Sequence, residues 1–185
     1  MKRLVELLIA VMIFPAISFL ILACVVMMAI FDRGPFFFKS KRLGKEQQKF
    51  TIVKLRTMSV NTPLIPSSNK DASLYVTKFG RFLRLTSLDE LPQIFNILIG
   101  TMSFIGPRPC LASEVRLIEL RENKGIFSMK PGVTGLAQVR GRDRITDRNK
   151  VRYERLYMKK KSFLFDLKII IMTMKTIFKF SNVTH

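Results

Sequence analysis

"LLIAVMIFPAISFLILACVVMMAIF", residues 7–31, carries no charged side chain and has Pro15 near its middle. As an α-helix it measures about 37 Å, against a bilayer hydrocarbon core of about 30 Å. It is too long for a cleaved signal peptide, and no small-residue cleavage site follows it. The stretch is therefore expected to enter a membrane. Lys2 and Arg3 precede it, while Arg33, Lys39, Lys41, Arg42 and Lys45 follow. The heavier positive charge on the C-terminal side places the rest of the chain on the cytoplasmic face. Two arrangements stay open. One is a spanning helix with its N-terminus outside. The other is a re-entrant helix that dips in, bends at Pro15, where a backbone N–H is missing, and returns. The second explains the cations at both ends better.

Working outward, the chain of 185 residues holds one domain of ordinary size and carries a formal charge of +19. It is nevertheless 48% hydrophobic, with a mean hydropathy of +0.20. A basic disordered tail lacks that much apolar content. The combination leaves a nucleic-acid binder with a large core, or a protein seated on an anionic membrane surface. Two cysteines, Cys24 and Cys110, make no disulfide framework, and His185 is the only histidine. Zinc chemistry and a histidine-based triad are thereby excluded.

Residues 35–58 read as a β-hairpin around "GKEQQ". "SVNTPLIPSSNKDAS" (59–73) reads as a loop, and "VTKFGRFLRLT" (76–86) as a short helix or strand. "GTMSFIGPRPC" (100–110) gives a turn, a short strand and a proline-locked loop. Residues 113–125 form an amphipathic helix ending at Gly125, "KPGVTGLAQVRGR" (130–142) is glycine-rich punctuation, and 147–160 is a charged helix. In "SFLFDLKIIIMTMKTIFKF" (162–180), Lys168, Lys175 and Lys179 share one helical face amid apolar residues. That pattern fits a helix lying in the membrane interface, with a plain core helix as the alternative.

"TSLDELPQIFNIL", residues 86–98, places two carboxylates, Asp89 and Glu90, in an apolar stretch of this basic chain. Ser87 and Glu90 match a capping box. Pro92 argues for a helix that starts at Asp89 or later, where its missing N–H costs nothing. Both registers set the carboxylates at a helix N-terminus, an end that also suits phosphate. Arg81 and Arg84 lie just upstream, and Arg108 is clamped in "GPRP". Arg140 and Arg142 flank Gly141 in an expected loop where Gly132, Gly135 and Gly141 allow close backbone approach. Several arginines with ionised carboxylates suggest phosphoryl transfer. A carboxylate pair among phosphates calls for a cation, Mg²⁺ being the usual one, and a carboxylate can also attack phosphorus.

At these residues the chain resembles the bacterial sugar transferases, the monotopic polyprenyl-phosphate glycosyl-1-phosphate transferases. The resemblance runs through "DRGPFFFKSKRLGK" (32–45), "FTIVKLRTM" (50–58), "VTKFGRFLRLTSLDELPQIFNILIGTMSFIGPRP" (76–109), "KPGVTGLAQVRGR" (130–142) and "SFLFDLKIII" (162–171). It implies transfer of a sugar 1-phosphate from a UDP-sugar to undecaprenyl phosphate, with UMP released and Mg²⁺ required, as the first membrane step of surface-glycan synthesis. Asp89 would be the nucleophile and metal partner, with Glu90 assisting acid–base or phosphate-positioning work. Lys54, Arg84, Arg108 and Arg142 would bind the diphosphate or the lipid phosphate. The family's re-entrant helix breaks at a proline, matching Pro15. Glu6 stands where relatives more often have a Phe-Asp pair, and Glu154 lies near a usual Asp.

The expected architecture is an α/β, mostly α, monotopic membrane protein. Residues 1–31 form a re-entrant anchor, 32–160 a catalytic part with a β-hairpin, and 161–185 an interfacial helix and tail. It would sit in the bacterial inner membrane with its site on the cytoplasmic face, among anionic lipids. The rival reading is a membrane-tethered basic binding protein without catalysis. A nucleic-acid partner predicts basic residues interleaved with exposed aromatics or set on a recognition helix, and neither pattern is present.

Overall fold

A computed structural model describes residues 2–62, 74–141 and 145–181. The expected loop at 59–73 falls largely outside the described residues, as does Arg142. Among the described residues the chain is mostly helical with two small sheets.

Helix α1 runs from Lys2 to Phe31 without interruption and includes Pro15. Pro15 does not divide it into two helices, because a proline removes one rung of the ladder while the surrounding i→i−4 bonds hold. Its buried positions, Glu6, Ala10, Ile21, Cys24 and Met28, recur at helical spacing and make one stripe. Ala10 packs in a cluster with Ile52, Ile94, Ile97 and Met102. Ile21, Cys24 and Met28 pack with Leu55 and Leu83. The opposite face of α1 is bare, with Leu4, Leu8, Met12, Phe19 and Ile30 all at least 60% exposed.

Both ends of α1 are tied to the globular part. Lys2 Nζ donates to Tyr157 Oη at 2.9 Å and to Asp166 Oδ2 at 2.8 Å. Arg3 donates to the Ile97 and Leu98 carbonyls, which belong to α3 (Ile94–Ile99). There a cation meets the negative end of a helix. Glu6, one of the departures from the family pattern, accepts a hydrogen bond from Ser103 Oγ and is thus an anchoring contact. At the other end Arg56, almost fully buried, donates to the carbonyls of Asp32, Arg33, Pro35 and Met58. Thr77 Oγ1 donates to Asp32 Oδ2 at 2.6 Å.

The expected hairpin is formed by β1 (Phe37–Leu43) and β2 (Lys49–Leu55), antiparallel, with Arg42 opposite Phe50 and Phe38 opposite Lys54. The 76–86 stretch resolves to helix α2 (Lys78–Thr86), capped by Thr77, whose hydroxyl accepts from Gly80 N. Strand β3 (Ser103–Ile105) pairs in parallel with β4 (Gly132–Thr134). Helix α5 (Leu136–Gly141) follows directly. The "KPGVTGLAQVRGR" stretch is therefore a strand and a short helix rather than punctuation alone, and Arg140 lies on α5 rather than in a loop. Three residues are too short a run for periodicity to reveal a strand. The expected close approach at glycines does occur: a Cβ on Gly132 would lie 2.0 Å from Gly106 N, and one on Gly135 2.1 Å from Gly106 O. Gly132→Ala is expected to part the two strands at a cost of about 3 kcal/mol, read as a lowered midpoint in urea unfolding.

Helix α4 (Val115–Glu122) and helix α6 (Asp147–Lys160) are joined by a buried ion pair, Arg121 with Glu154. Glu154, the other departure, is thus a structural partner. Helix α7 (Phe163–Ser181) turns Ile169 fully inward and leaves Phe163, Leu164, Leu167 and Met174 exposed.

Candidate functional site

Asp89 and Glu90 open a 3₁₀ helix, Leu88–Gln93, that leads into α3. Ser87 links it to α2 in the left-handed conformation, φ 58°, and its side chain makes no capping bond. The capping box is therefore not formed. The tighter i→i+3 turn takes over instead, with Glu90 N donating to Ser87 O at 3.2 Å. Both carboxylates do lie in the first turn, as expected, and Pro92 falls inside the 3₁₀ helix.

Strand β2 runs past this turn and carries Lys54 to it. Lys54 Nζ donates to Glu90 Oε1 at 2.5 Å, both side chains being about four-fifths covered. Arg108 approaches the same oxygen, its NH1 3.9 Å away. Its loop is fixed on both sides: Gly132 N donates to Pro107 O at 2.9 Å, and Leu43 N to Cys110 O at 2.9 Å. Arg84, on α2, is steered by Nε donating to Thr57 Oγ1 at 2.8 Å. Burial weakens its hold on the proton, and the charge of Asp89 restores part of it.

The Asp89 carboxyl is pushed up to about 6, against an ordinary 3.8. Burial is the main cause. Glu90 adds to it, while Lys54, Arg84 and the Asp89 backbone N–H oppose it. The group is thus desolvated yet still ionised at neutral pH, the condition that makes a carboxylate reactive. If Asp89 must be ionised to react, kcat/KM falls about tenfold per pH unit below pH 6 and is level above it. A pH–rate profile checks this, and a break near 4 would contradict it.

The structure thus brings together Lys54, Arg84, Asp89, Glu90 and Arg108, drawn from β2, α2, the 3₁₀ turn and the GPRP loop. Arg81 is exposed. An open cleft lies against Lys54, Glu90 and Arg108. Three more polar side chains line it that the motif reading did not assign to the site: Arg42, Gln93 and Gln138. A usable signal existed for Arg42, since a hairpin register puts it on the face of Lys54. Among the described residues no group of three or more metal-type side chains exists.

The family model described as bacterial sugar transferase matches residues 1–180. The chain belongs to the bacterial sugar transferase family. One member, the UDP-glucose:undecaprenyl-phosphate glucose-1-phosphate transferase of Klebsiella pneumoniae, is 36% identical over 93% of this chain and 39% of its own length. An uncharacterized sugar transferase, EpsL, of Bacillus subtilis (strain 168) is 34% identical over 96% of this chain and 87% of its own. The UDP-N-acetylgalactosamine-undecaprenyl-phosphate N-acetylgalactosaminephosphotransferase of Aeromonas hydrophila is 34% identical over 95% and 43%. The chain thus spans about two-fifths of two of these sugar transferases and most of the third.

Proposed function

We propose that this chain transfers a sugar 1-phosphate from a UDP-sugar to undecaprenyl phosphate and releases UMP. The observation that carries the reading is Asp89, a desolvated carboxylate flanked by Lys54 and Arg84. The names of the Klebsiella and Aeromonas relatives support the same reaction. An Asp89 oxygen attacks the phosphorus that bears the sugar, and the P–O bond to UMP breaks with its electron pair leaving on UMP. The resulting aspartyl phosphosugar is then attacked at phosphorus by an oxygen of the lipid phosphate, which frees Asp89. Lys54, Arg84 and Arg108 offset charge on the phosphoryl oxygens. Glu90, engaged by Lys54, holds that cation in place. Release of UMP by purified protein with Mg²⁺, undecaprenyl phosphate and a panel of UDP-sugars tests the reading; no release with any donor would count against it.

Mg²⁺ binds through one or two carboxylates plus substrate phosphates, and the adjacent Asp89 and Glu90 fit that habit. Asp89 would hold it, and the ion would neutralise charge on the diphosphate.

We further infer that α1 is re-entrant, in the bacterial inner membrane with the site on the cytoplasmic face. At 1.5 Å per residue the helix reaches about 45 Å, yet both its ends bond to one globular body. A straight spanning helix would carry that body through the bilayer. The bare apolar faces of α1 and α7 fit immersion and interfacial contact. Single cysteines placed at Lys2 and Arg33, in a background lacking Cys24 and Cys110, are expected to resist an impermeant thiol reagent applied to intact cells. Labelling at residue 2 alone would establish a spanning helix.

A further inference from the structure

The transfer chemistry leaves Arg42, Gln93 and Gln138 without a task. The pairing of β1 and β2 sets Arg42 on the same sheet face as Ile52 and Lys54. Arg42 thus turns into the cleft instead of joining the exposed cations of β1. It is half-buried, and its Nε donates to Ser40 Oγ at 3.2 Å. No carboxylate lies within ion-pair distance of it among the described residues. Arg108 lines the same cleft. Burial first, then the charge of Arg108, weakens the hold of Arg42 on its proton. Two guanidiniums set against one cleft repel each other unless an anion lies between them.

Gln93 is only 3% exposed and lines this cleft. It follows Glu90 by three residues in a 3₁₀ helix, where side chains at i and i+3 stack on one side. Gln138 Nε2 donates to Val133 O at 2.9 Å, but its Oε1 is buried with no donor. An unmet buried acceptor is costly, and a group with a bound partner is the usual explanation. The cleft therefore offers two cationic forks for phosphate, and beside them the Gln93 side chain and the unmet carboxamide oxygen of Gln138. Undecaprenyl phosphate brings a phosphate followed only by hydrocarbon, which leaves that oxygen unmet. A nucleotide sugar brings a diphosphate flanked on both sides by hydroxyl and N–H groups.

We propose that this cleft is the donor subsite, in which Arg42 and Arg108 grip the diphosphate while Gln93 and Gln138 hydrogen-bond the hydroxyl or N–H groups beside it. The proposal rests on the transfer reading above and assigns the acceptor lipid to another approach to Asp89.

The test compares wild type with Arg42→Gln and Gln93→Leu. Steady-state KM is measured for donor and for undecaprenyl phosphate, together with UMP affinity by calorimetry in detergent. Arg42→Gln is expected to raise the donor KM about 10- to 100-fold and Gln93→Leu about tenfold, with the acceptor KM unchanged. Weaker UMP binding in Gln93→Leu places the carboxamides on the nucleotide half. Unchanged UMP binding with an altered ranking of UDP-sugars places them on the sugar half. A rise in acceptor KM alone, or no change in either KM, overturns the proposal. If Arg42→Gln does not fold, Arg42→Lys, which keeps the charge but loses the fork, is read in the same way. If the wild type releases no UMP at all, the transfer reading falls separately. UMP binding that Arg42→Gln removes would still support the subsite, and its absence in wild type would overturn it.

Discussion

Asp89→Asn is expected to lower UMP release by at least about a thousandfold, because the amide oxygen cannot form the phosphoryl bond that the carboxylate forms. The same substitution is expected to stabilise the fold. The Asp89 carboxyl titrates near 6 in the folded protein against 3.8 for the ordinary group. Its folded value is raised, so ionisation costs more in the folded than in the unfolded chain. Between pH 4 and 6 the wild type therefore loses stability as pH rises, and above 6 it carries the full penalty, about 3 kcal/mol. Asn carries none of it. Thermal melts without substrate or Mg²⁺ should show the variant melting above wild type at pH 7.5 and close to it at pH 4. Loss of turnover with this gain identifies a carboxylate held in an unfavourable setting for chemistry. Retained turnover would remove Asp89 from the nucleophile role, and a destabilised variant would mean that the carboxylate serves the fold.

Glu154→Ala is expected to be the most damaging single substitution for stability. Glu154 is 3% exposed and Arg121 2%, and the two carboxylate oxygens accept from Arg121 Nε at 2.9 Å and NH2 at 2.5 Å. Removing the acid leaves a buried guanidinium unpaired, at a cost of about 3–5 kcal/mol. Arg121 also lies close enough to Cys110 for its charge to act on the thiol, at the base of the loop that presents Arg108, so activity should suffer before the protein unfolds. The double variant Arg121→Met/Glu154→Leu replaces both charges with apolar groups and is expected to recover most of the stability. Urea unfolding of the three proteins checks this. A Glu154→Ala midpoint close to wild type would show that the pair contributes little.

Much of this architecture was legible locally. The β1–β2 hairpin follows from two β-rich runs around "GKEQQ", the charged helix from residues 147–160, and the membrane-entering helix from an uncharged run. Each signal lies within one turn or one pleat of chain. Asp89 and Glu90 could likewise be singled out, as paired acids beside arginines in a basic sequence. The 3₁₀ geometry of their turn could not. Ser87 adopts a left-handed conformation where α2 meets the turn, and that junction is set by how α2 packs on Leu55 and α1.

The surroundings of the acidic pair lie further from the sequence. Which cation meets Glu90 depends on β2 crossing the turn, which brings Lys54 from 36 residues away. The raised titration of Asp89 depends on desolvation, a property of what covers the side chain and not of its neighbours in the chain. Arg42 reads in sequence as one of five flanking cations and in space as a lining of the cleft, because strand register chooses its face. The sequence by itself determined the helices within 7–31, 113–125, 147–160 and 162–180, the hairpin, the long apolar segment and the identity of the acidic pair, all encoded in short-range periodicity and residue chemistry. Only the tertiary structure decided that both ends of α1 bind one body, and that Asp89 is half-buried among cations from separate elements. Burial and long-range charge exist only once the chain has closed on itself.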